Sequence, residues 1–229
     1  MKHIISVSDL HIYDDSRYDK ICVLCDFIDE AAPDLLVLNG DIGDPWRSKW
    51  CDIIKYLSWL RLLMTCFRRD TQGLKTVWIN RNHDYNAKPA YLPWAEICGE
   101  YREGQCLFMH GWEFDVAWGG IFGLPGIAPL AFWLSRHCPQ LMVPLYKGLF
   151  GNGGKTPSQQ KHTARDDWNY HVGVIHLRAR AYAQKKGVSI IIGHTHCPTP
   201  YDGLIADDGD MVDSFSYIDI TGKVELKYI

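Results

Sequence analysis

Five short polar clusters carry the residues that could do chemistry: Asp9-Leu10-His11, Gly40-Asp41-Ile42-Gly43-Asp44, Asn80-Arg81-Asn82-His83-Asp84, His110-Gly111 and Gly193-His194-Thr195-His196. Asp, Asn and His offer hard-to-borderline oxygen and nitrogen donors, which suit divalent manganese, iron, zinc or nickel. Counted as ligands, the residues are Asp9, His11, Asp41, Asn82, His110, His194 and His196. They are too many for one ion and enough for two if Asp41 bridges. Two ions about 3.5–4 Å apart can clamp a phosphate and activate a water between them.

Each cluster follows an apolar run that reads as a buried strand. Ile4 to Val7 precedes Asp9, Leu35 to Leu38 precedes Asp41, and Lys75 to Ile79 precedes the Asn80 cluster. Leu107 to Met109 precedes His110, and Val188 to Ile192 precedes His194. Strand ends along one edge of an α/β sheet are where such folds place ligands, so the five clusters can converge on one crevice.

These blocks, in this order, resemble the calcineurin-like metallophosphoesterases, whose signature is D-x-H, G-D-x-x-D, G-N-H-D/E, H and G-H-x-H. The resemblance covers the chain nearly end to end. It implies a two-sheet α/β sandwich flanked by helices, and it implies manganese, iron, zinc or nickel in a two-ion site, manganese first. One ion would be held by Asp9, His11, Asp41 and His196, the other by Asp41, Asn82, His110 and His194. His83 would give a proton to the leaving oxygen and Asp84 would orient it, while metal-activated water attacks phosphorus. Asn82 and Arg81 would face the substrate. Arg81 stands where the family has glycine. A bulky residue is strained there if the turn needs positive φ; alternatively Arg81 lies near the phosphate as a charge-assisted contact.

Three further stretches are similar to the branch that cleaves the pyrophosphate of UDP-2,3-diacylglucosamine: residues 40 to 47, His110 to Asp115, and Gly209 to Phe215, where Met211 replaces a tryptophan. His83 stands where the best-known lipid enzyme of that branch has arginine. The substrate classes are therefore a nucleotide-sugar or lipid pyrophosphate, a phosphomonoester or phosphoprotein, a cyclic phosphodiester, or a nucleic-acid end. A non-catalytic scaffold on the same fold is the contrasting class, and the intact donor set with His83 speaks against it.

Composition bounds the rest. With 229 residues and 47% hydrophobic content, the chain reads as one domain over 1–229. A net charge of -3 gives no broad phosphate-tracking surface, so nucleic acid is not favoured as a partner. The eight cysteines are scattered and read as reduced, mostly buried thiols. No signal peptide precedes the first strand, which points to the cytoplasm.

Apolar spacing predicts a helix over 17–32 ended by Pro33, a second helical region over 47–70, a short helix ending near Gly99, and a long one from Pro157 to about Lys186. The last would turn Trp168, Val172, Ile175, Leu177 and Ala179 partly inward, and its His162, His171 and His176 are left out of the metal set. Alternation across Thr221-Gly222 predicts a C-terminal hairpin closing a second sheet. Between 112 and 157 aromatics, glycines and prolines break every period, so an inserted apolar cap is expected there. It reads either as a packing or subunit-contact element or as a lid over a greasy substrate. Its apolar runs fall short of the roughly 20 residues of a membrane span, which leaves peripheral membrane contact open.

Overall fold

The computed structural model describes residues 2–13, 18–45, 48, 51–58, 74–84, 87–115 and 165–229. The cap expected over 112–157 therefore lies outside the described residues beyond Asp115, as does most of the helical region expected over 47–70.

Two sheets form the centre. The first contains β1 (Ile4–Val7), β2 (Leu35–Leu38), β3 (Lys75–Ile79), β4 (Glu96–Cys98), β9 (Ser216–Ile220) and β10 (Val224–Tyr228), in the order β10-β9-β1-β2-β3-β4. Its β1-β2-β3-β4 part is parallel, with Ile4 opposite Leu35 and Leu35 opposite Lys75; β9 and β10 run antiparallel. The second sheet, in the order β5-β6-β7-β8, contains β5 (Tyr101–Glu103), β6 (Cys106–Phe108), β7 (Ser189–Ile192) and β8 (Ile205–Asp207). The expected two-sheet α/β architecture is present.

Alternation along the strands sorts the side chains between layers. Leu35, Val37, Val77 and Ile79 of the first sheet meet Phe108, Ile191 and Ala206 of the second. Leu36, Leu38 and Trp78 turn the other way, onto α1 (Tyr18–Ala31) and the helical residues 51–58, here α2. On α1 the stripe is Ile21, Leu24, Cys25 and Ile28, all buried at helical spacing. The helix stops at Ala32, whose φ of 46° and N–H bond to Ile28 O cap it just before Pro33. The far face of the second sheet is covered by α3 (Arg165–Lys186) through Ile175, Ala179 and Ala183. Each fully buried Leu or Ile in these layers contributes about 1.5–3 kcal/mol.

Three expectations are corrected. The C-terminal hairpin joins the first sheet, because β9 pairs with β1 along Ile4–Ile220 and Ser6–Ile218. Residues before Gly99 form strand β4, since β3 offers Glu96, Ile97 and Cys98 a parallel edge. Leu177 faces outward at 66% exposure, while Val172, Ile175 and Ala179 are buried as expected. Among the described residues no helix is long and apolar enough to cross a membrane.

Candidate metal centre

Parallel pairing continues past the strand ends and sets the register of the site. Asp9 N–H donates to Gly40 O at 3.0 Å, His11 N–H to Asp41 O at 2.9 Å, and Ile12 N–H to Ile42 O at 2.9 Å. The D-x-H loop after β1 and the G-D loop after β2 are thus zipped side by side. In the second sheet Gly193 N–H bonds His110 O at 2.9 Å, which holds the β6 and β7 ends together in the same way. The two sheets meet where His194 N–H donates to Asp9 Oδ2 at 2.9 Å.

Glycine permits that meeting. Gly40 has φ +91°, and a Cβ there would lie 2.4 Å from His110 Nδ1. A Cβ on Gly193 would lie 2.3 Å from Ser8 Oγ. Asp9, His11, Asp41, His194 and His196 themselves hold left-handed backbone, with φ from 46° to 69°. Such strain gathers at functional sites, where the surrounding structure over-determines it.

The donors form overlapping triads. Ligand atoms of Asp9, His11 and His196 lie within 4.8 Å of one another, as do those of Asp41, His110 and His194, and those of His11, Asp41 and His83. Asp9 Oδ1 is 3.1 Å from His196 Nε2 and 3.5 Å from His11 Nε2. Asp41 Oδ2 is 3.3 Å from His110 Nε2 and 3.9 Å from both His11 Nε2 and His83 Nε2. Asp41 therefore stands between the two sets, the place a bridging ligand takes. Asn82 opens the 3-10 turn Asn82–Asp84, and its expected ligand role lies outside the described side chains.

The burial of these atoms tests whether a cation fits. Asp9 Oδ1, His11 Nε2 and His110 Nε2 are buried without a hydrogen-bond partner. An unsatisfied buried polar atom costs about 1–3 kcal/mol. Three of them aimed into one nest of carboxylates and imidazoles match the donor chemistry of divalent ions.

Electrostatics point the same way. Burial alone would lift the Asp9 carboxyl, yet His196, His11 and His110 hold it well below its ordinary range. Burial also opposes ionisation of Asp41, and His110, His83 and His11 bring it down to about 2. Against burial, Asp41 and Asp9 push His110 up to about 10, and Asp9 and Asp210 push His196 up to about 9. Protons on the imidazoles thus balance the carboxylates in the metal-free protein. A cation can take over that balance by displacing them.

Around this nest lies a ring of orienting groups. Asn39 O accepts from His110 Nδ1 at 2.8 Å, which leaves Nε2 to face Asp41. Asp44 Oδ1 lies 2.9 Å from His83 Nδ1, and burial of Asp44 is outweighed by His83 and His11, which keep it ionised. Asp115 Oδ2 is 3.1 Å from His194 Nε2, and Asp210 Oδ2 is 3.6 Å from His196 Nδ1. Asp115 and Asp210 lie in the sequence stretches His110 to Asp115 and Gly209 to Phe215, but nothing in their spacing assigns them to particular imidazoles.

Asp84 does something other than orient His83. Its fully buried carboxylate accepts from Ile42 N, Gly43 N and Trp78 Nε1 at 2.7, 2.9 and 2.9 Å, so it clamps the G-D-I-G-D turn. The carboxylate on the His83 ring is Asp44. Arg81 has no positive φ, so the expected backbone strain is absent. Its guanidinium is exposed at the rim, with Nε 3.3 Å from Gly99 O and 3.7 Å from Glu113 Oε1.

The pattern of the family described as calcineurin-like phosphoesterase matches residues 2–222. A search of curated proteins found no match. Among solved structures, the chain is similar to Yfce, a phosphoesterase from E. coli, at 11% identity over 99% of this chain and 92% of that one, with a TM-score of 0.41. It is similar to nuclease MPE of Pseudomonas putida at 13% identity over 98% and 87%, TM-score 0.41. It is also similar to a dimetal phosphatase from Danio rerio at 12% identity over 99% and 95%, TM-score 0.47.

Proposed function

This chain belongs to the calcineurin-like phosphoesterase family, and from that premise we propose that it hydrolyses a P–O bond using two divalent ions, manganese first among them. The observation that carries the reading is the position of Asp41 Oδ2 between the His11 and His110 imidazoles, in a nest where Asp9 Oδ1, His11 Nε2 and His110 Nε2 are buried without a hydrogen-bond partner. Asp9, His11, Asp41 and His196 would hold one ion, and Asp41, Asn82, His110 and His194 the other. When bound, such ions grip phosphate oxygens and bring the pKa of water toward neutrality.

The chain's own residues supply the proton. Asp44 fixes the His83 ring through Nδ1, so Nε2 is the atom turned toward Asp41. Burial would lower the His83 pKa, but Asp41 and Asp44 raise it above its ordinary value. A protonated His83 would pass its proton from Nε2 to the departing oxygen. General acid help of this kind contributes about 10²- to 10⁴-fold. Arg81, at the exposed rim, is the proposed contact for a substrate phosphate.

For the substrate, we propose a nucleotide-sugar or lipid-linked pyrophosphate. Support comes from the three stretches that are similar to the UDP-2,3-diacylglucosamine pyrophosphatase branch: Asp44 and Asp115, from two of them, hydrogen-bond the His83 and His194 imidazoles, and Asp210, from the third, lies 3.6 Å from His196 Nδ1. The test is hydrolysis of an aryl phosphate and an aryl phosphodiester with added manganese, with chelator as control, followed by UDP-sugars with and without acyl chains. Metal-dependent turnover is the expected result. Its absence on every substrate sinks the hydrolase reading, and a preference for monoesters or cyclic phosphodiesters replaces the pyrophosphate.

A further inference from the structure

One carboxylate oxygen outside the nest serves two imidazoles. Asp115 Oδ2 lies 3.1 Å from His194 Nε2 and 3.1 Å from His171 Nε2. His194 stands at the end of β7, whereas His171 comes from α3, a helix that contributes no residue to the triads. A carboxylate oxygen has lone pairs for both N–H donors.

Asp115 is itself seated by α3. It closes the 3-10 turn Trp112–Phe114, and Phe114 is buried among Ile175, Ala179 and Ala183 of that helix. Phe114 meets the Tyr182 ring edge-on at 5.7 Å, and Arg178 Nη1 donates to Phe114 O at 3.4 Å. A second bridge runs from the same helix to the same β7 turn: His176 Nε2 lies 2.9 Å from Asp207 Oδ2, which also accepts from Thr195 Oγ1 at 2.7 Å. The turn that carries His194 and His196 is thus tied to α3 at two neighbouring residues, His194 and Thr195.

We infer that Asp115 and His171 form a positioning pair for His194: Asp115 accepts the hydrogen bond from Nε2–H and so leaves Nδ1 for the metal, and His171 holds Asp115 in place from α3. The inference rests on the metal-centre reading above. A ring whose Nε2 donates has only Nδ1 left to offer a lone pair, and outer carboxylates of this kind fix both tautomer and ring orientation. Neither residue belongs to the donor triads.

The test uses the full-length chain and variants Asp115→Asn, His171→Ala, His171→Gln and Arg180→Ala. Arg180 belongs to the same helix and pairs with Asp202 at 2.6 Å, away from the site, so it controls for loss of any α3 ion pair. Manganese binding is read by calorimetry, and the His194 tautomer by long-range nitrogen-proton spectra of the metal-free, histidine-labelled protein. The expected result for Asp115→Asn is manganese affinity lower by about 10- to 100-fold, with His194 no longer held as the Nε2–H tautomer. His171→Ala moves both readouts in the same direction by less, His171→Gln restores them because an amide can donate to Asp115, and Arg180→Ala leaves them unchanged. Wild-type affinity and tautomer in Asp115→Asn overturn the inference. Where that variant fails to fold, unchanged readouts in His171→Ala overturn the pair instead. A wild-type protein that binds no manganese refutes the metal-centre reading, and the tautomer shift then still decides whether Asp115 positions His194.

Discussion

The His83 ring is held by Asp44, Nδ1 to Oδ1 at 2.9 Å, and its other nitrogen points at the carboxylate that joins the two donor triads. Under the proposed function, a single imidazole would link proton delivery to the carboxylate shared by both donor sets. His83→Ala is expected to lower kcat by about 10²- to 10⁴-fold with little change in KM. Asp44→Asn should give a smaller loss on the same parameter, since the ring keeps a polar neighbour but loses the charge that holds its proton. Steady-state kinetics on an aryl phosphate check both.

Asp41→Asn is expected to remove activity and metal together. Its Oδ2 lies 3.3 Å from His110 Nε2 and 3.9 Å from His11 Nε2, so neutralising it weakens both sets of donors. Elemental analysis of the purified variant should find fewer than two ions per chain. Full occupancy with lost activity would assign Asp41 a purely chemical role.

Metal uptake should release protons and strengthen with pH. In the metal-free protein His110 is pushed up to about 10 and His196 to about 9, so both are charged at neutral pH and must shed a proton to ligate. Calorimetry in buffers of different ionisation enthalpy measures the release directly. The same shifts fix the sign for stability. A histidine raised in the folded state stabilises fully below its ordinary 6.5 and loses that contribution as pH climbs toward 9 and 10. Chelated protein should accordingly weaken over that window.

Asp208 gives a separate pH signature at lower values. It is fully buried, accepts from Ser6 Oγ and Ser8 Oγ at 2.7 Å each, and burial pushes it up to about 8 from an ordinary 3.8. Between about pH 4 and 8 the folded state keeps a proton that the unfolded chain has lost, so stability falls as pH rises. One proton sets a limiting slope of about 1.4 kcal/mol per pH unit. Asp208→Asn should flatten the wild-type dependence of the urea midpoint in this window, and an unchanged slope would assign the titration elsewhere.

The strand-then-donor grammar was readable because buried parallel strands are short apolar runs, and because polar residues at their ends have no packing reason to be there. Asp9, Asp41, His110 and His196 follow such runs, and the structure brings them into the overlapping triads. The orienting layer was not. Whether Asp44 or Asp84 holds His83 depends on the path of the 3-10 turn Asn82–Asp84, which drops Asp84 onto the Ile42 and Gly43 amides and Trp78. Sequence spacing carries no record of that path. His171 on α3 looks like any other helical histidine until the fold lays that helix against the turn ending in Asp115. The β10-β9 placement was missed for a related reason: a hairpin's alternation fixes its own register but not the sheet edge it joins.

The left-handed backbone at Asp9, His11, Asp41, His194 and His196 has a practical consequence for dissecting the centre. Alanine at any of these five positions confounds two quantities, the deleted donor and a steric penalty of about 1–2 kcal/mol for a β-carbon in that conformation without a polar side chain to offset it. Glycine is the cleaner subtraction, and the gap between the alanine and glycine variants at one position reads the backbone contribution by itself.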